Sequence, residues 1–149
     1  MSKDTRLARV AHVLVHMSFN EGTATSETIA AMLDTNPVVV RRIMGALREA
    51  GYVSSERGPN GGWRLARPLH EITFLNIYKA FEPGSPFTIA TSDDHPKCAV
   101  ERSANRALSL ALSEAAARFE QALSKITLDQ LLPRKGQAAA APFQGNRRY

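Results

Sequence analysis

Between Thr25 and Arg67 the apolar positions fall first at helical and then at alternating spacing, and this switch organises the reading of the chain. Ile29, Ala30 and Leu33 share one face of a short helix opened by Thr25 or Ser26, with Glu27 in the first turn, where the helix dipole favours a carboxylate. Asp34 and Thr35 supply a turn. Asn36 followed by Pro37 starts a second helix, because Asn accepts from an otherwise orphan amide and Pro has none to lose. It runs to about Ala50, where Gly51 ends it. Val40, Ile43, Met44 and Leu47 fall on one side of it, and Val38, Arg41, Arg42, Gly45 and Arg48 on or near the other. Past Gly51 the period becomes two. Val53, Trp63 and Leu65 alternate with polar residues around Gly58, Pro59, Asn60, Gly61 and Gly62, with Arg57 and Arg64 beside the tip. The pattern predicts helix, turn, helix and hairpin, a winged helix.

The flanks extend this unit. Leu7, Val10, Ala11, Leu14 and Met17 recur at helical spacing from Thr5 to about Asn20 and predict a first helix packed on the winged motif. Pro68 breaks the ribbon. Thr73 is placed to cap a short helix with Phe74, Ile77, Tyr78 and Phe81 on its packing face, ended by Pro83 and Gly84. A segment mixing Pro, Gly, Ser and Asp follows, up to Cys98, and reads as a mobile loop. Then comes one long helix whose stripe is Val100, Ala104, Ala107, Leu108, Ala111, Ala115, Phe119, Ala122, Leu123 and Ile126. Nothing large in the chain is evident to cover it, and its small residues allow close helix approach, so a dimer interface is expected, with an intramolecular core helix as the alternative. Residues 127–132 are expected to make a last short turn back toward the body.

The predicted fold is therefore mainly α with a small β-hairpin wing. The division is 1–82 for a winged helix-turn-helix DNA-binding domain, 83–98 for a flexible sensor loop, 99–132 for a dimerisation helix and 133–149 for a disordered, cationic tail.

Charge changes the picture locally more than globally. The 149 residues carry a formal net charge of +5, consistent with an anionic partner but not diagnostic of one. Residues 36–67 hold six arginines against Glu49 and Glu56, a surplus of four made entirely of the residue suited to bidentate contacts with guanine or phosphate. The helix from Pro37 is of the right width for the major groove, and a glycine-rich ribbon can approach the sugar-phosphate backbone closely. A solvated surface is the bland alternative, and a winged protein-binding module is another; that module would more naturally present an apolar patch.

No phosphate-cradling loop, metal-hydrolase helix or nucleophile triad stands in the sequence, so an enzyme would have to rest on Cys98 with His95, as in a thiol peroxidase. His12 and His16 are four apart, the spacing of a metal pair, but no third ligand is evident nearby. No cofactor and no metal are expected. One cysteine excludes an internal disulfide, and neither a membrane-length apolar run nor a signal peptide is seen, so a cytoplasmic location is expected.

The run TNPVVVRRIMGALREAGYVSSERGPNGGWRLAR, with EITFLNIYKAFE after it and TLDQL near the end, resembles the iron-sulfur cluster regulator family of bacterial winged helix-turn-helix transcription regulators, the IscR-like or "Rrf-two" family. The similarity spans roughly residues 5 to 132. It implies a homodimeric DNA-binding regulator; a two-fold dimer would meet double-stranded DNA at a pseudo-palindromic operator, and a repressor is expected, although the sequence does not decide between repression and activation. The helix from Pro37 would lie in the major groove and the wing on the backbone or minor groove. DNA contacts are accordingly expected from Thr25, Ser26, Asn36, Pro37, Val38, Val39, Arg41, Arg42, Arg57, Asn60, Gly61, Gly62 and Arg64. In several members of that family three cysteines hold a cluster; this chain has one, like the branch that lacks the cluster. Cys98 remains open to three readings. It is a small structural residue, a redox sensor of the kind helix N-termini and a neighbouring lysine favour, or a ligand for iron or another metal together with non-cysteine groups.

Overall fold

The computed structural model describes residues 4–81 and 84–134. Helix α1, Arg6–Met17, turns Val10, Ala11, Val13, Leu14, Val15 and Met17 inward. Helix α2, Ser26–Leu33, starts where Thr25 Oγ1 accepts from Thr28 N at 3.1 Å. Its end is Asp34, left-handed at φ 48°, which lets the amides of Asp34 and Thr35 reach back to the carbonyls of Ala31 and Ala30. Helix α3, Pro37–Glu49, begins as expected. Asn36 Oδ1 accepts from the amides of Val38 and Val39 at 3.0 and 3.1 Å. Leu14, Ile29, Val40, Met44 and Leu47 meet where the three helices pack, and all are fully buried.

Strands β1, Val53–Glu56, and β2, Gly62–Leu65, pair antiparallel with Val53 opposite Leu65 and Glu56 opposite Gly62. Gly62 is thus the first residue of β2 rather than part of the turn. Its φ of 148° and the Ala24 carbonyl, which a Cβ would meet at 2.7 Å, leave room for glycine alone. Trp63 reaches back into the core, and its backbone exchanges hydrogen bonds with Ala24.

A 3-10 turn at Leu69–Glu71, unmarked in the hydrophobic pattern, leads to α4, Phe74–Ala80. Thr73 and Asn76 form a reciprocal capping box at its start. Helix α5, Ala99–Ser124, runs 26 residues and is followed by a second 3-10 turn, Leu128–Leu131. This last turn does fold back: Leu128 is fully buried, its amide donates to the Ile72 carbonyl at 2.9 Å, and Phe74 N donates to Ile126 O at 2.9 Å.

The long stripe on α5 divides into two faces. Leu123 is buried and Leu108, Ala115 and Ile126 are half-buried, on the side where Tyr78 and Phe119 stack edge to face at 5.6 Å and Lys79 pairs with Glu120 at 3.1 Å. Val100, Ala104, Ala107, Ala111 and Ala122 face outward. The expectation that nothing in the chain covers α5 therefore holds for one face only, because α4 covers the other. Ahead of α5, the last part of the loop bonds to the helix: Asn105 exchanges two hydrogen bonds with the Ser92 backbone, at 2.6 and 3.1 Å, and His95 N donates to the Glu101 carboxylate. The tail expectation and Pro83 fall largely outside the described residues, since 135–149 and 82–83 are not among them.

Candidate nucleic-acid interface

Packing fixes which side of α3 is free. Val40, Ile43, Met44 and Leu47 are buried, so the helix presents Val38, Arg42, Gly45 and Glu49 outward, with Arg41 and Arg48 on one flank and Val39 and Ala46 on the other. Val38 is 70% exposed at the N-terminal end, an apolar side chain that nothing in the fold covers. Asn36 spends its carbonyl oxygen on the cap, and Pro37 is half-buried, so these two set the start of α3.

The six arginines counted in the sequence are not equivalent. Arg41 pairs with Glu27 of α2 at 3.1 Å and Arg64 with Glu56 across the hairpin at 3.1 Å. Arg48 reaches Ser55 and lies 5.9 Å from the Trp63 ring, while Arg67 bonds the Gly51 carbonyl and lies 5.9 Å from the Tyr52 ring. Arg48 thus braces the wing against α3, and Arg67 ties the far end of the wing to the turn that follows α3. Arg42 and Arg57 have no such partner among the described residues, so they are the cations of this face most available to an anion.

Ser26 was expected on the DNA side and is instead turned inward. It is 9% exposed, and its Oγ accepts from Trp63 Nε1 at 3.0 Å, which fixes the wing to the start of α2. Thr25 stays exposed as the cap, bonded to Thr28. At the tip, the hydroxyl of Thr23 donates to the carbonyls of Asn60 and Gly61, holding the hairpin turn. Gly61 sits where a Cβ would strike the Glu56 carbonyl, so it is required by the turn itself. Val39 is half-buried on the flank away from Arg41.

Gly45 is a residue of this face that the expected contacts omit. Glycine in a helix interior costs about 1 kcal/mol against alanine, yet a Cβ at Gly45 would meet no atom within 4 Å. Its own fold gives no reason for glycine there. A mid-helix glycine between Arg42 and Arg48 is the signal the sequence carries for this position.

Away from this face, the His12 and His16 rings stack edge to face at 4.5 Å, and burial, with His12 beside it, holds His16 below the usual histidine range. Cys98 is exposed at the start of α5, its amide bonded to the His95 carbonyl and its side chain making no capping bond. Among the described residues no three His, Cys, Asp or Glu side chains gather to hold a metal, and no helix is long and apolar enough to cross a membrane.

Residues 3–134 match the Rrf2 family, described as iron-dependent transcriptional regulators. YwnA of Bacillus subtilis, which carries the name of an HTH-type transcriptional regulator, is 30% identical over 129 residues, covering 87% of this chain and 96% of its own. A crystal structure of a protein described as DNA-binding superposes with a TM-score of 0.69 at 30% identity, covering 85% of this chain and 98% of that one. IscR of T. potens superposes at 0.59 with 21% identity, over 88% and 85% of the two chains, a likeness of fold.

Proposed function

The chain belongs to the Rrf2 family of transcriptional regulators, not to an enzyme family, and on that premise we propose that it is a homodimeric repressor reading a pseudo-palindromic operator through α3. The observation that carries this reading is the outward face of α3. Its helix start is held by a double cap, an exposed Val38 and an Arg42 with no partner among the described residues point away from the core, and Gly45 lets a groove floor come close. Val38 suits a thymine methyl and Arg42 a guanine edge. The wing supplies Arg57, with Arg64 shared with Glu56, toward phosphate or the minor groove. The second copy joins along the outward face of α5, which spaces the two α3 helices for half-sites about one helical turn apart. A dimer seated on its operator blocks transcription there.

Purified protein mixed with fragmented genomic DNA should recover fragments sharing one motif, and the Arg42→Ala protein should lose that preference. Recovery of unrelated fragments by both would contradict groove reading.

Iron, which the family's description implies, finds no fitting donor set among the described residues. A cluster takes several thiolates, this chain has one, and no metal-sized group of ligands surrounds it among the described residues. The signal we assign instead enters at Cys98, exposed where the loop passes into α5. Hydrogen peroxide oxidises the thiol: an S–O bond forms as the O–O bond breaks, giving a sulfenic acid, and the departing hydroxide takes the thiol proton and leaves as water. The added group strains the junction with α5 and shifts the spacing of the two α3 helices. Peroxide is expected to weaken operator binding by the wild type and to leave Cys98→Ser unaffected. An equal response of both proteins would remove Cys98 from the mechanism.

A further inference from the structure

A cavity of about 720 Å³ opens between α1, α3 and the end of α4, and no wing residue lines it. That volume is the size of a small-molecule site. Its apolar wall includes Val10, Val39, Ile43 and Phe81, and its lining also carries Arg9 and Arg42. The other cations around it are committed: Arg6 to Asp4, Arg41 to Glu27 and Lys79 to Glu120. Among the described residues the Arg9 and Arg42 side chains have no partner, and Glu49 is the one acid of the lining.

A guanidinium beside an apolar wall calls for a ligand with both characters. DNA phosphate would answer the charges and leave the wall uncovered. A carboxylate with a short chain or a ring answers both, since the guanidinium fork matches a carboxylate and the wall buries the rest. We propose that this cavity binds a small organic monoanion of that class, held by Arg9 and Arg42. Because Arg42 and Val39 also belong to α3, an occupied cavity competes with DNA; this second step rests on the regulator reading above.

Calorimetric titration of the full chain with octanoate tests the site with no DNA present. Octanoate should saturate one site per chain, and octanol and inorganic phosphate should each bind at least about tenfold more weakly, the worth of one charge-assisted contact. Arg9→Gln should weaken octanoate by about tenfold and Arg9→Lys recover part of it. Ala46→Leu, which fills the cavity without changing charge, should weaken it too. Saturating octanoate should then reduce duplex binding by the wild type and not by Ala46→Leu. Equal binding of octanoate and octanol, or an unchanged Arg9→Gln, would overturn the proposal. So would loss of duplex affinity in Arg9→Gln with no octanoate binding, which would give these cations to the DNA backbone. A failure of the regulator reading would leave the titration result standing.

Discussion

Helices α1 and α5 treat their apolar residues in opposite ways. Of the 12 residues of α1, Val10, Ala11, Val13, Leu14, Val15 and Met17 are buried, whereas of the 26 residues of α5 only Leu123 is. The first helix is sealed by its own chain, through α2, α4 and the closing turn at Leu128. The second leaves Val100 76% and Leu110 69% exposed, beside Ala104, Ala107 and Ala111. Covering a side chain such as Leu110 gains about 1.5–3 kcal/mol, so this face gains stability from a second surface in a way that α1 does not. Self-sufficient packing marks the domain proposed to read DNA, and unfinished packing marks the face on which the proposed dimer rests.

The sharpest way to break that contrast is to mutate one residue on each side of it. Leu128→Ala removes a fully buried side chain from the turn that ties the end of α5 to the body, and should cost about 2–5 kcal/mol in denaturant unfolding. Ala111→Glu should leave the fold, read by circular dichroism, intact while weakening self-association by about a hundredfold or more, because it sets an unpaired charge between two helices. Sedimentation velocity reads the second effect. A monomeric wild type at micromolar concentration would dissolve the contrast altogether.

Within the reading domain, α3 and the wing should differ in kind. Arg42→Ala should lose roughly 1–3 kcal/mol and relax base preference. Arg57→Ala should weaken all duplexes alike and lower the salt slope by about 1. Anisotropy titrations at several salt concentrations separate the two, and identical profiles would merge the helix and the wing into one non-specific surface.

Gly45→Ala carries the smallest effect on the fold and the clearest sign. Thermal unfolding should show a gain of up to about 1 kcal/mol, while DNA affinity falls, since the added methyl stands on the open face of α3. Stabilisation with unchanged affinity would mean that no partner approaches there.

Local chemistry made much of this legible in the sequence. Thr25, Asn36 with Pro37, and Thr73 announce three helix starts because a cap is a contact between near neighbours, and each forms as expected. The expected packing face of α3 is the buried one. What stayed hidden depends on residues far apart in the chain. Ser26 looks like an exposed helix-start residue until Trp63, 37 positions later, claims its hydroxyl. The stripe on α5 reads as one surface until α4 covers part of it, and the six arginines read as one charge until Glu27, Glu56, Ser55 and the rings of Trp63 and Tyr52 occupy four of them.

The most direct test combines a selected duplex, a hydroxyl-radical footprint and the mass of the complex. Two chains per duplex, protecting two related half-sites about one helical turn apart, is the result expected of paired α3 helices spaced by α5. One chain on a single half-site, or protection without a repeated motif, would contradict it.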